Sequence, residues 1–241
     1  MMLSAEQGLA LGIVAFYLFD CLRLAPPETV YFLRNARTWS YRVPQQRWRL
    51  GSKSVEMLNP FLPWQLPLAA RLLPDTQAKT VRLDKAFLPA VSDLLWPQRV
   101  LAALVLLAMP AAVIRDGLGV WFLLCLGLIY TVLGYGLFLV RRRAAALQLR
   151  REQWLSLCME CVFCPPFAVN LIRKIAAQQE EITDAVDFAS RNLDRESLNR
   201  WRIEIGRFAQ QQLQWYEPGD GAHRKWQVLL GRVGGKADER V

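Results

Sequence analysis

The stretch VLAALVLLAMPAAVIRDGLGVWFLLCLGLIYTVLGYGLFLVRRR, residues 100–143, decides the fold. Its two apolar runs, 101–114 and 120–140, contain no Asp, Glu, Lys, Arg or His and are joined by Arg115-Asp116-Gly117-Leu118. A helix needs about 20 apolar residues to cross a bilayer, and basic clusters mark the end that stays in the cytoplasm. The pattern reads as a transmembrane hairpin over residues 98–140, stopped by Arg141-Arg142-Arg143. Pro110 is expected to bend the first arm, because proline removes a helical hydrogen bond.

A third apolar run lies at residues 9–24. No Lys or Arg precedes it, Glu6 is acidic, and Arg23-Leu24-Ala25-Pro26-Pro27 follows it instead of a small-residue cleavage site. Residues 1–24 are therefore expected to form a retained transmembrane helix, with Asp20 near enough to Arg23 to pair. Residues 22–97 hold eleven Lys or Arg and five Asp or Glu, and residues 141–241 hold seventeen and thirteen, so both belong inside. The expected topology has the N-terminus outside and the C-terminus in the cytoplasm. That leaves almost no external surface and excludes an extracellular receptor or a periplasmic enzyme. The second and third spans lack the ionisable residues that mark ion or substrate pathways, which argues against a channel.

The chain is 53% hydrophobic, 21% charged and carries a formal net charge of +9, so much of it meets water. In a membrane protein that basic balance points to anionic lipid headgroups. Residues 25–97 read as a small cytoplasmic antiparallel β module. Val30 and Phe32 share a face, as do Trp39, Tyr41 and Val43, and Trp48 and Leu50; Val55 and Met57 alternate with Glu56. Turns are expected at Pro44-Gln45-Gln46 and Gly51-Ser52, and a further strand at 79–83. The aromatics fall opposite the arginines, which places them in a core and argues against nucleic-acid binding. The insert at 60–74 is apolar but too proline-rich to span, and is expected to lie in the plane of the headgroups. Trp64 and Arg71, with Arg42, Arg47 and Arg49, are the expected lipid-interface residues.

After the basic stop, residues 141–216 read as a cytoplasmic helical domain. The first helix is expected to continue through 144–164 with Leu147, Trp154, Cys158 and Cys161 on one face, and Pro165-Pro166 ends it. Further helices carry Phe167, Leu171, Ile172 and Ile175, then Ile182, Val186 and Ala189, then Leu198, Trp201, Ile205, Phe208 and Leu213, the last capped by Asp194. Residues 217–241 are expected to be a flexible tail. The fold class expected from all this is a mainly α integral membrane protein: three transmembrane helices, a small β module and a C-terminal helical domain.

Cys158, Cys161 and Cys164 form the one constellation with metal-ligand spacing, yet a fourth ligand is missing and the three would fan around a helix. At a helix C-terminal end the dipole also works against a reactive thiolate. No metal and no cofactor is expected there, and no catalytic residue elsewhere. There is no Gly-rich phosphate loop, no Gly-x-Ser-x-Gly, no His-Glu-x-x-His and a single histidine. Glu160, Glu180, Glu181, Asp184 and Asp187 fit a polar helix face. The function expected is a non-enzymatic scaffold or accessory subunit of a bacterial inner-membrane assembly. Alternatives are an enzyme acting on a lipid at the inner interface, or a redox subunit using the cysteines. A membrane-protein partner is expected to meet Arg200, Arg207 and Trp201, with Trp215 and Trp226 as further aromatic anchors.

Overall fold

The computed structural model describes residues 5–26, 28–35, 38–43, 48–50, 53–73, 86–178 and 183–234. In chain order, helix α1 (Ala5–Asp20) is followed by strands β1 (Leu22–Ala25), β2 (Thr29–Asn35), β3 (Thr38–Arg42), β4 (Trp48–Leu50), β5 (Lys53–Met57) and β6 (Leu66–Arg71). Helices α2 (Phe87–Asp93), α3 (Leu95–Ala103), α4 (Met109–Asp116) and α5 (Val120–Arg142) come next. The chain continues through α6 (Arg151–Phe163), α7 (Pro165–Ala168), α8 (Leu171–Gln178), β7 (Thr183–Asp184), α9 (Ala185–Asn192), α10 (Arg195–Leu213) and α11 (Gly221–Gly234). The protein is mainly helical with a small antiparallel sheet.

The chain divides into two compact units, and neither is continuous in sequence. The first holds residues 1–23, 57–65 and 83–179; the second holds 24–56, 66–82 and 180–241. Helices α6 to α8 thus belong with the hairpin, and α9 to α11 with the β-rich segment.

In the first unit, two helical runs are long and apolar enough to cross a membrane: Phe87–Asp116, of 30 residues, and Val120–Arg142, of 23. Helix α1 has 16 described residues, about 24 Å at 1.5 Å per residue, which is short of a bilayer core of about 30 Å. Ahead of Pro110 the helix opens into a π-helical turn, Leu104–Ala108, where Met109 N–H bonds the Leu104 carbonyl. The wider turn accommodates a residue without an N–H. The reversal between the arms needs glycine: Gly117 has φ +61°, and a Cβ on Gly119 would lie 2.1 Å from the Asp116 carboxylate. Helix α5 buries Ile129, Leu133, Leu137 and Val140 and leaves Trp121, Leu124, Leu128 and Phe138 exposed. Helix α1 likewise buries Ala10, Ile13 and Tyr17 and exposes Leu11, Phe16 and Phe19.

The helix expected to run on through residues 144–164 is broken. Helix α5 ends at Arg142, Gln148 takes a left-handed φ of 53°, and α6 starts afresh at Arg151. Gln153 Oε1 accepts the Arg150 N–H at 2.9 Å, which satisfies one donor at the new N-terminus. Burial of Leu147 holds the reversal in place. Pro165 then opens α7, as its fixed φ and missing N–H allow.

In the second unit a four-stranded sheet has the order β3-β2-β6-β7, and a three-stranded one the order β1-β5-β4. The expected strands at 29–33 and 37–43 appear as β2 and β3, paired with Phe32 opposite Tyr41. The insert at 60–74 is different from the in-plane segment expected. Leu66–Arg71 is a strand inside the sheet, pairing Phe32 with Leu68 on one side and Ala70 with Thr183 on the other. Leu66, Ala70 and Leu72 are buried there. Pro67 lies opposite Leu33 of β2 in this strand.

Strand β5 also turns the opposite way from its apolar alternation: Ser54 and Glu56 are buried and Met57 is exposed. Partners explain the inversion. Ser54 Oγ donates to the Ala25 carbonyl at 3.1 Å, and Arg42 Nη1 meets Glu56 Oε1 at 3.0 Å. The core gathers Phe32, Phe188 and Trp201, with the Phe32 and Phe188 rings 4.6 Å apart. Asp194 caps α10 through Ser197 N–H, as expected, and Asp184 caps α9. The segment expected to be a tail contains α11, which packs on α10 through Trp226, Leu229 and Val233, with Trp226 edge-on to Phe208 at 5.5 Å. The expected turns at 44–46 and 51–52, the strand at 79–83 and Ile182 lie outside the described residues.

Candidate functional site

The most concentrated polar chemistry lies in the first unit, where the end of α1 meets α6, α8 and the 57–65 loop. Helix α8 is apolar on both sides of an Asn170-x-x-Arg173-Lys174 pattern, and its packing carries those polar side chains inward. Arg173 is 1% exposed. Its Nη1 donates to Asn170 Oδ1 at 3.1 Å and lies 3.3 Å from Cys21 Sγ. Its Nη2 donates to the carbonyls of Asn59 at 2.5 Å and Leu62 at 2.8 Å. Among the described residues Arg173 Nε has no hydrogen-bond partner. Burial pushes the guanidinium's pKa down, yet arginine keeps its proton in proteins. Its charge is therefore spread over carbonyl and amide dipoles.

A carboxylate pair sits beside it. Lys174 Nζ bridges Asp20 Oδ1 at 2.9 Å and Glu160 Oε2 at 2.8 Å. Asn170 Nδ2 donates to the other Asp20 oxygen at 3.0 Å, and Ser156 Oγ to the other Glu160 oxygen at 3.3 Å. Burial would lower the Lys174 pKa, but its hydrogen bonds to Glu160 and Asp20 outweigh that and raise it. The pairing of Asp20 with Arg23 expected from sequence is replaced by this one; Arg23 instead donates to the Arg173 carbonyl at 3.2 Å. The Tyr17 hydroxyl donates to the Pro60 carbonyl, and Leu58 N–H to the Cys21 carbonyl at 3.0 Å. The cluster thus ties α1, α6, α8 and the 57–65 loop together. Both carboxylates are engaged by the ammonium, so neither is poised as a free general base.

Cys161 is fully buried, and Cys158 and Cys164 are half-buried. Among the described residues no group of three His, Cys, Asp or Glu side chains is placed to hold a metal ion.

The expected lipid-interface set is divided. Trp64 belongs to the first unit, half-buried with the Arg99 guanidinium 5.3 Å from its ring. Arg42 and Arg71 belong to the second, with Arg42 on the buried Glu56. Arg47 and the side chain of Arg49 lie outside the described residues. Of the expected partner-binding set, Trp201 is fully buried beneath the sheet, so it anchors the core and no partner reaches it. Arg207 is exposed, and Arg200 pairs with Glu196 at 2.8 Å on the surface of α10. Trp226 is buried under α10, whereas Trp215 is 81% exposed.

In the sequence Asp20 reads as a partner of Arg23 and Glu160 as part of a polar helix face, and nothing there singles out Asn170, Arg173 or Lys174. The signal available was two adjacent cations flanked by Leu171-Ile172 and Ile175-Ala176-Ala177 in an eight-residue helix. Comparison with known proteins finds no family model, no characterised protein and no solved structure that matches this chain.

Proposed function

We propose that the chain is a multi-pass protein of a bacterial cytoplasmic membrane and works as a non-catalytic scaffold or accessory subunit of a larger membrane assembly. The hairpin crosses the bilayer, α1 enters beside it as the third embedded segment, and the N-terminus lies outside. The second unit lies in the cytoplasm near anionic headgroups. One observation carries the non-catalytic reading: Asp20, Glu160, Lys174 and Arg173, the polar groups best placed for chemistry, are engaged with one another or with backbone carbonyls. Around them the helices expose apolar faces suited to lipid. The second unit offers the docking surface, with Arg200 and Arg207 on the polar face of α10 and the exposed Trp215 at its end.

Arg200→Glu with Arg207→Glu tests this in native membranes. The wild-type chain is expected to migrate with a large assembly on a native gel, and the variant at the size of the free chain while still membrane-bound. Phospholipid turnover by the purified, partner-free protein, abolished by one Asp or Glu substitution, would overturn the scaffold reading in favour of an enzyme.

A further inference from the structure

Helix α6 follows a basic stop sequence, but it doubles back along α5 instead of leaving it. The Arg141 guanidinium lies 5.4 Å from the Trp154 ring, near the start of α6. The Tyr130 hydroxyl donates to the Val162 carbonyl at 3.0 Å, at the other end of α6. Tyr130 is about 15 Å from the outer end of α5, which is about 34 Å long at 1.5 Å per residue. The end of α6 is therefore level with the middle of the span. We infer that Arg151–Phe163 is a re-entrant helix whose Leu155, Met159, Val162 and Phe163 face packs against the acyl chains of the bilayer. The inference rests on the membrane reading of the hairpin given above.

Two independent features support that occupant. The first is the division of the α6 surface. Leu155, Met159, Val162 and Phe163 are 46%, 57%, 41% and 77% exposed and lie within one arc of the helix. Ser156 and Glu160 fall outside that arc; Ser156 donates to Glu160 and Glu160 meets Lys174, so the Glu160 charge is paired. The opposite face, with Leu157 and Cys161, is buried in the unit.

The second is the backbone at the break after Phe163. A chain reversal in hydrocarbon must satisfy its polar groups internally, whereas one in water need not. Here the Val162 carbonyl receives Tyr130, Cys164 N–H reaches the Glu160 carbonyl, and Phe167 N–H reaches the Cys164 carbonyl. Pro165 and Pro166 have no N–H to satisfy. The Ala168 and Val169 carbonyls both receive Gln98 Nε2, a side chain 2% exposed. Two distant helices thus supply donors to a turn of only a few residues.

The full-length protein, reconstituted in phosphatidylcholine–phosphatidylglycerol vesicles with a phospholipid bearing a mid-chain diazirine, provides the test. After photolysis and trypsin, the peptide 116–141 reports α5, the peptide 152–173 reports α6, and 203–207 is the control. The expected result is lipid adducts on 116–141 and on 152–173, at Leu155, Met159, Val162 and Phe163, with none on 203–207. Adducts on 116–141 with none on 152–173 would overturn the re-entrant placement and mean that protein or water covers that face. Absence of adducts from both would overturn the membrane reading itself.

Discussion

Trp201 illustrates how one residue's role turns on a single measurement of exposure. As a tryptophan on a polar helix it reads as an interface anchor; at 0% exposure against Phe32 it is a core residue. Trp201→Ala is expected to lower the unfolding free energy of the second unit by about 3–5 kcal/mol, measured by chemical denaturation. Loss of a partner at unchanged stability would contradict that role. Lys174→Met should cost about 3 kcal/mol, because it leaves Asp20 as a part-buried charge without its ammonium partner. Asp20→Asn added to Lys174→Met should restore most of the thermal midpoint. A structural lock tolerates that neutral pair, whereas a proton site would not. Tyr41 supplies a pH signature: burial and the neighbouring Glu204 raise its phenol to about 12. The folded state then holds a proton that an unfolded tyrosine loses near pH 10. Stability of the second unit should fall as pH rises from about 10 toward 12, and Tyr41→Phe should remove that part of the slope in denaturation curves.

At the scale of the element, legibility followed the length and regularity of the hydrophobic pattern. The hairpin was legible because each arm is a long apolar run, and the Arg115–Leu118 turn carries the glycine that the reversal requires. Strands β2 and β3 were legible from period-two alternation. Strand β6 was not, because Pro63, Pro67 and Pro74 mask a strand whose pairing is set by distant β2. The break at residues 143–150 was equally hidden: no Gly or Pro marks it, and tertiary burial of Leu147 imposes it. Helix α11 was lost among flanking glycines, although Trp226, Leu229 and Val233 keep a helical spacing. Leu66→Ser separates the strand from the headgroup reading. It should destabilise the second unit by about 3–5 kcal/mol in urea titration, while vesicle binding per folded molecule stays unchanged. A sharp loss of vesicle binding at full stability would return residues 60–74 to the membrane surface.

For the whole molecule, hydropathy made the two helical runs long and apolar enough to cross a membrane legible, while the candidate site stayed out of reach. Asp20, Glu160 and Lys174 are separated by up to 154 positions, and only the packing of α1, α6 and α8 brings both carboxylates within 3 Å of the Lys174 ammonium. The same packing assigns α6 to α8 to the first unit and α9 to α11 to the second, a division that no linker composition announces. Topology is where the scaffold proposal is most exposed. The direct measurement is labelling of single cysteines at Asp116 and at Arg202, in a cysteine-free background, with a membrane-impermeant maleimide in intact cells. The account expects rapid labelling at Asp116→Cys, and labelling at Arg202→Cys only after the membrane is permeabilised. Labelling of Arg202→Cys from outside, with Asp116→Cys protected, would contradict it.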